Sequence, residues 1–133
     1  MTRVAAIDCG TNSIRLLVAD GHIDESGRPR LADLTRQMRI VRLGQGVDAR
    51  GYLDPAAIER TVEATVEYQR MIEALGATKT RFVATSATRD ASNSADFVRQ
   101  IKAVIGVEPE VVVGTEEASL SFNGAVSGLG ESV

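Results

Sequence analysis

AIDCGTNSIRLLVAD, residues 6–20, is the stretch from which the fold is read. Two short runs rich in aliphatic and β-branched side chains, residues 4–7 and 14–19, flank the turn-forming segment DCGTNS. Apolar runs on either side of a Gly/Asn/Asp/Ser cluster describe a β-hairpin. In that turn, residues 8–13, Gly10 permits positive φ and lets the backbone approach a ligand closely. The N–H groups around Thr11 and Asn12 are placed to form an anion-binding concavity, to which Thr11 and Ser13 add hydroxyls. Asp8, at a strand end, suits a hydrated Mg²⁺ ion. An ordinary tight turn uses the same residue types, so the segment alone leaves both readings open.

Downstream, a polar turn precedes an extended stretch over residues 31–43, expected as a third antiparallel strand. Asp54-Pro55 then opens a helix with an N-cap acid and a proline at the first helical position. Ile58, Val62, Val66, Met71, Ile72 and Leu75 recur at helical spacing, and Gly76 closes the helix. Residues 81–85 read as a strand followed by the polar loop 86–93, which Asn93 or Ser94 ends as a helix cap. The second helix covers residues 94–105, burying Phe97, Val98, Ile101 and Val104, and stops at Gly106. Residues 110–113 form a short strand, and Thr115 caps a third helix that begins with Glu116 and Glu117. The order β-β-β-α-β-α-β-α predicts an α/β fold with a mixed five-stranded sheet, antiparallel first and parallel later. Ligands of such sheets gather outside the carboxyl ends of the strands, at residues 8–13, 86–93 and 114–117.

With 133 residues, 44% of them apolar, the chain suffices for one core. Its longest apolar runs fall far short of a membrane span, and the N-terminus lacks a signal-peptide pattern, so a soluble cytoplasmic protein is expected. One cysteine, Cys9, and one histidine, His22, exclude a disulfide framework and a zinc-type cluster. A net charge of −3 argues against general nucleic-acid binding. The charge is polarised: residues 28–50 carry six arginines against two acids, +4 locally. Arg36 and Arg42 are expected on one face of the third strand and Arg39 on the other. Such arginines either hold an anion or cover the solvent side of a strand. In the second loop Thr85, Ser86, Thr88 and Arg89 suit an anion, with Arg89 able to grip phosphate bidentately. The acid pair Glu116-Glu117 is explained equally by the positive end of a helix dipole.

Taken in order, AIDCGTNSIRLLVAD, VRLGQGV, ATSATRDASN and GTEEASLSFNGAV resemble the Ppx/GppA family of exopolyphosphatases and guanosine pentaphosphate phosphohydrolases. The resemblance spans essentially the whole chain and implies a ribonuclease H-like, actin-like ATPase domain. It implies that Asp8 helps hold Mg²⁺ and that the backbone and hydroxyls of Gly10, Thr11, Asn12 and Ser13 contact phosphate. It further implies that Arg89 is the phosphate-contacting arginine and that Glu117, not Glu116, is the catalytic glutamate. Arg15 is similar to a family position. Cys9, with no base beside it, reads as a packed thiol. The family's second phosphate loop, of Asp-x-Gly-Gly-Gly-Ser type, has no match in residues 128–133. Residues 1–133 are therefore expected to be the N-terminal lobe of a two-lobed actin-like phosphohydrolase, folding by itself but hydrolysing little alone. The implied activity of the full-length parent is Mg²⁺-dependent release of terminal phosphate from inorganic polyphosphate. The alternatives are a guanosine pentaphosphate 5′-phosphatase and a non-catalytic phosphate- or nucleotide-binding module. No membrane or nucleic-acid partner is expected, and a homodimer is an arrangement open to the parent.

Overall fold

Strand β1 (Thr2–Cys9) is the centre of the sheet. The computed structural model describes residues 2–23, 25–27, 29–44, 51–84, 88 and 91–111. From β1 the chain returns antiparallel as β2 (Ser13–Ile23), and β3 (Pro29–Ile40) pairs antiparallel with β2. Helix α1 (Pro55–Leu75) carries the chain over to β4 (Lys79–Ala84), parallel to β1 on its other side. Helix α2 (Ser94–Ile105) leads to β5 (Glu110–Val111), parallel to β4. The strand order β3-β2-β1-β4-β5 is the expected mixed five-stranded α/β sheet, with two described residues in β5. Residues 112–113 and the helix expected from Thr115 lie outside the described residues.

The strands run further than their apolar runs. Pairing of Asp8 with Arg15 and of Cys9 with Ile14 continues the ladder, because backbone groups pair whatever side chains they carry. The first turn is thereby reduced to Gly10, Thr11 and Asn12, and Asp8 is a strand residue rather than a loop residue. β3 ends at Ile40, three residues short of the expectation.

Both helices pack on one sheet face. Ala5, Ile7 and Cys9 of β1, Ile14, Leu16 and Val18 of β2, and Phe82 and Ala84 of β4 form one core with them. The alternate residues Val4, Ala6, Leu17 and Ala19 are buried on the opposite face, so β1 is covered on both sides. Helix α1 begins as expected: Asp54 accepts from the Ala56 N–H at 2.9 Å, and Pro55 occupies the first turn. It ends at Gly76, whose φ of 74° is the left-handed conformation that a helix stop requires.

Its buried face differs from the aliphatic pattern. Ala57, Ile58, Thr61, Ala64, Thr65, Tyr68 and Ile72 are buried, whereas Val62, Met71 and Leu75 pack at the margin and Val66 is half-buried. Small side chains allow close approach, and the Thr61 and Thr65 hydroxyls donate to the carbonyls of Ala57 and Thr61, each at 2.8 Å. In α2, Phe97 and Ile101 are buried as expected, but Ile105 takes the place of Val98 and Val104.

At one end of the sheet–helix layer, Arg3 ties β1 to β2 and to the last residue of α1. Its guanidinium donates to both carboxylate oxygens of Asp20, at 2.8 and 3.1 Å, and to the Leu75 carbonyl at 2.6 Å. The bonds from Arg3 hold Asp20 below the usual carboxylate range. A carboxyl with a lowered folded-state pKa stabilises above its unfolded pKa and loses that contribution as pH falls through the folded value. The melting temperature of Asp20→Asn should therefore lie below wild type at neutral pH and converge with it in strongly acidic buffer. A gap that stays constant with pH would assign the effect to packing instead.

Candidate phosphate-binding site

Asp8 lies on the sheet face opposite the helices, one residue before the carboxyl end of β1, directly across from Arg15. It is 8% exposed, and its Oδ1 is buried with no hydrogen-bond partner. Burial pushes its pKa up, and the positive charge of Arg15 pulls the other way. A buried carboxylate oxygen left unpaired is costly, and a cation ligand is the usual remedy. No group of three or more His, Cys, Asp or Glu side chains converges among the described residues. A single buried carboxylate with an unpaired oxygen is a donor that a hard, largely hydrated cation such as Mg²⁺ would accept.

The turn beside Asp8 is held by a second segment. The Thr11 carbonyl accepts from the Gly44 N–H at 2.8 Å, and the Asn12 carbonyl accepts from the N–H groups of Val41 and Arg42, each at 2.9 Å. Carbonyl and N–H point in opposite directions across a trans peptide, so drawing the Thr11 carbonyl toward Gly44 turns the Asn12 N–H away from that segment. Neither the Thr11 nor the Asn12 N–H donates within the described residues, and both residues are exposed. Unused N–H groups on consecutive residues are what anion-binding concavities are built from. The fit is close at Gly44, where an added Cβ would lie 3.1 Å from Thr11 Cβ and Cγ2.

Gly10 does not use the positive φ that glycine permits; its N–H donates to the Ser13 carbonyl at 2.8 Å and closes the turn. Arg42 is the residue with left-handed backbone, at φ 52°. The buried Tyr68 hydroxyl donates to the Ile14 carbonyl at 2.9 Å and ties α1 to the start of β2 just after the turn. Cys9 is fully buried, and burial together with the Asp8 charge pushes its thiol far up, which agrees with a packed and unreactive role.

The segment that supports the first turn also reaches the second loop. The Leu53 N–H donates to Asn93 Oδ1 at 2.8 Å, Asn93 Nδ2 donates to the Leu53 carbonyl at 2.9 Å, and the Ser92 N–H donates to the Gly51 carbonyl at 2.8 Å. Residues 41–53 are thus bonded to residues 11–12 at one end and to residues 92–93 at the other. Asn93 is the N-cap residue of α2, as expected, but its side chain bonds Leu53 and makes no capping bond. Thr88 is 1% exposed, with its hydroxyl unpartnered. Arg89, Glu116 and Glu117 lie outside the described residues. Sequence reasoning singled out Asp8 and residues 10–13, which are neighbours along the chain. It passed over Gly44, for which Gly within VRLGQGV is the only signal, and read Asn93 only as a helix cap.

The basic stretch is divided. Arg36 pairs with Asp33, and Arg39, on the helix side, pairs with Glu67 of α1. Arg42 does not share the face of Arg36, because the strand has ended before it.

A mixed sheet in the order β3-β2-β1-β4-β5 with two crossover helices on one face has the architecture of an actin-like ATPase domain. Comparison with solved structures agrees. A crystal structure of the Aquifex aeolicus Ppx/GppA family member superposes with a TM-score of 0.76 at 33% identity, over 87% of this chain and 36% of that one. An exopolyphosphatase from Cytophaga hutchinsonii gives a TM-score of 0.76 at 27% identity, over 90% of this chain and 36% of that one. Residues 21–133 match the model of the Ppx/GppA phosphatase family, and the chain belongs to that family. It is 50% identical over 135 aligned residues to Exopolyphosphatase 2 of Mycobacterium tuberculosis, covering 98% of this chain and 42% of the relative. The chain therefore spans less than half the length of that relative. Among the described residues no helix is long and apolar enough to cross a membrane.

Proposed function

We propose that this chain is the N-terminal lobe of a cytoplasmic, Mg²⁺-dependent exopolyphosphatase that releases terminal orthophosphate from inorganic polyphosphate. The observation that carries the reading is Asp8, whose buried Oδ1 has no partner and which adjoins a turn with two unused N–H groups. The 50% identity to a relative named Exopolyphosphatase 2 supports polyphosphate over guanosine pentaphosphate as substrate.

In this reading the Thr11 and Asn12 N–H groups and the hydroxyls of Thr11 and Ser13 orient the terminal phosphoryl group. Arg89 neutralises its equatorial oxygens, and Glu117 takes the proton from the attacking water. Asp8 holds Mg²⁺, which when bound supplies charge neutralisation that side chains alone provide less well. Phosphoryl transfer asks for positioning and electrostatic stabilisation more than for covalent chemistry, and these groups supply both. The second lobe completes the cleft.

The test is steady-state phosphate release by the complete polypeptide that carries this lobe. Polyphosphate should be the faster substrate, guanosine pentaphosphate the slower, and removal of Mg²⁺ should stop both. Faster release from guanosine pentaphosphate would reverse the substrate assignment, and full activity in chelator would remove Mg²⁺ from it.

A further inference from the structure

Of the three arginines of the basic stretch whose side chains are described, one stands apart. Arg36 and Arg39 are each engaged by an acid, whereas Arg42 is exposed and its side chain has no ion pair or hydrogen bond among the described residues. Arg42 is also the one non-glycine residue of positive φ among the described residues. A residue with a Cβ is disfavoured in that conformation, and glycine would take it without strain. The fold nevertheless presents a guanidinium there, with its backbone fixed to the Asn12 carbonyl at 2.9 Å. Arg15, also exposed, follows the turn on β2.

We propose that Arg42 is a polyanion-binding residue that grips a phosphate chain beyond the unit held by residues 10–13. The proposal rests on the phosphate reading of that turn and extends it outward. Residues 41–44 bond to the carbonyl side of the turn, while the free Asn12 N–H points away from them. Arg42 starts from the carbonyl side of the turn, set off from the group beside Asp8, so the ligand its long side chain serves is one that extends past the turn. A guanidinium matches phosphate oxygens bidentately and stays charged at every working pH, so it can hold any unit of a repeating phosphoanhydride chain.

Arg42→Gly separates this role from a structural one, because glycine relieves the backbone while removing the charge. Binding of long-chain inorganic polyphosphate to the complete polypeptide that carries this lobe, in chelator so that hydrolysis is suppressed, is measured by titration calorimetry, with orthophosphate as competitor and the melting temperature recorded in parallel. The variant should bind polyphosphate ~10-fold more weakly, the value of one charge-assisted contact. Its melting temperature should be equal to or above wild type, and its affinity for orthophosphate unchanged. Arg36→Met should leave polyphosphate affinity within about twofold of wild type, since its charge is already met by Asp33. Wild-type polyphosphate affinity in Arg42→Gly overturns the proposal, and so does an equal loss for orthophosphate, which would place Arg42 on the terminal unit. A wild-type chain that binds neither anion overturns the phosphate reading of the turn itself.

Discussion

Glu117→Gln in the complete polypeptide should lower kcat by ~10²–10⁴ while leaving polyphosphate binding intact, the range expected when a general base is removed. Glutamine keeps the shape of the side chain and its hydrogen bonding but cannot accept the proton of the attacking water. Glu116→Gln is the internal control. On the helix expected from Thr115 the two side chains diverge by ~100°, so only one can face the water. If both acids merely favour the positive end of a helix, the two variants behave alike, each losing ~0.3–1 kcal/mol of stability and little activity. Measurement of kcat and melting temperature for both variants separates these outcomes. Inactivation by Glu116→Gln alone would move the base by one residue, and two active variants would remove it from this segment.

Asp8→Asn should act in opposite directions on activity and stability. Losing the carboxylate charge removes the anchor for Mg²⁺, and turnover should fall by ~10²–10³, as when one electrostatic element of a transition-state site is lost. The same change removes a charge whose buried oxygen has no partner, a burden of about 1 kcal/mol on the folded chain. The variant should melt at or above the temperature of wild type without Mg²⁺, and Mg²⁺ should no longer raise its melting point in the presence of phosphate. A variant that melts well below wild type, with activity lost in proportion, would make Asp8 a structural residue and send the search for the metal ligand elsewhere.

Helix limits were legible because they depend on local chemistry. Asp54-Pro55, Gly76 and Gly106 mark their ends through capping and left-handed geometry, which neighbouring layers do not alter. The buried face of α1 was less legible. Periodicity selects the largest aliphatic side chains, whereas a close helix–sheet approach selects Ala57, Thr61, Ala64 and Thr65. The arginines of the basic stretch were misassigned for a related reason. Alternation sorts Arg36 from Arg39, but it applies only while a strand lasts, and β3 ends two residues before Arg42. Positive φ, which Gly10 permits, occurs instead at Arg42, because a turn's conformation follows its hydrogen-bond partners, here supplied from residues 41–44. Asn93 has the composition of a cap, yet its amide bonds both backbone groups of Leu53, a partner 40 residues away that local reading cannot supply. Of the candidate site, the place of Asp8 just before the turn was legible from residue order, whereas the burial of its unpaired Oδ1 and the bonds from residues 41–44 were not.

The bonds from residues 41–53 to both loops bear on how this scaffold can be re-engineered. A hairpin turn that holds its own shape can be transplanted as a cassette. This one cannot, because its Thr11 and Asn12 carbonyls are satisfied by a stretch about 30 residues downstream. That stretch is itself anchored to the segment ending at Asn93. Grafting residues 8–13 into another sheet without residues 41–53 would leave both carbonyls without their donors and let the free N–H groups swing inward to compensate. The unit of transfer, for design as for recombination between related genes, is the first 93 residues taken together.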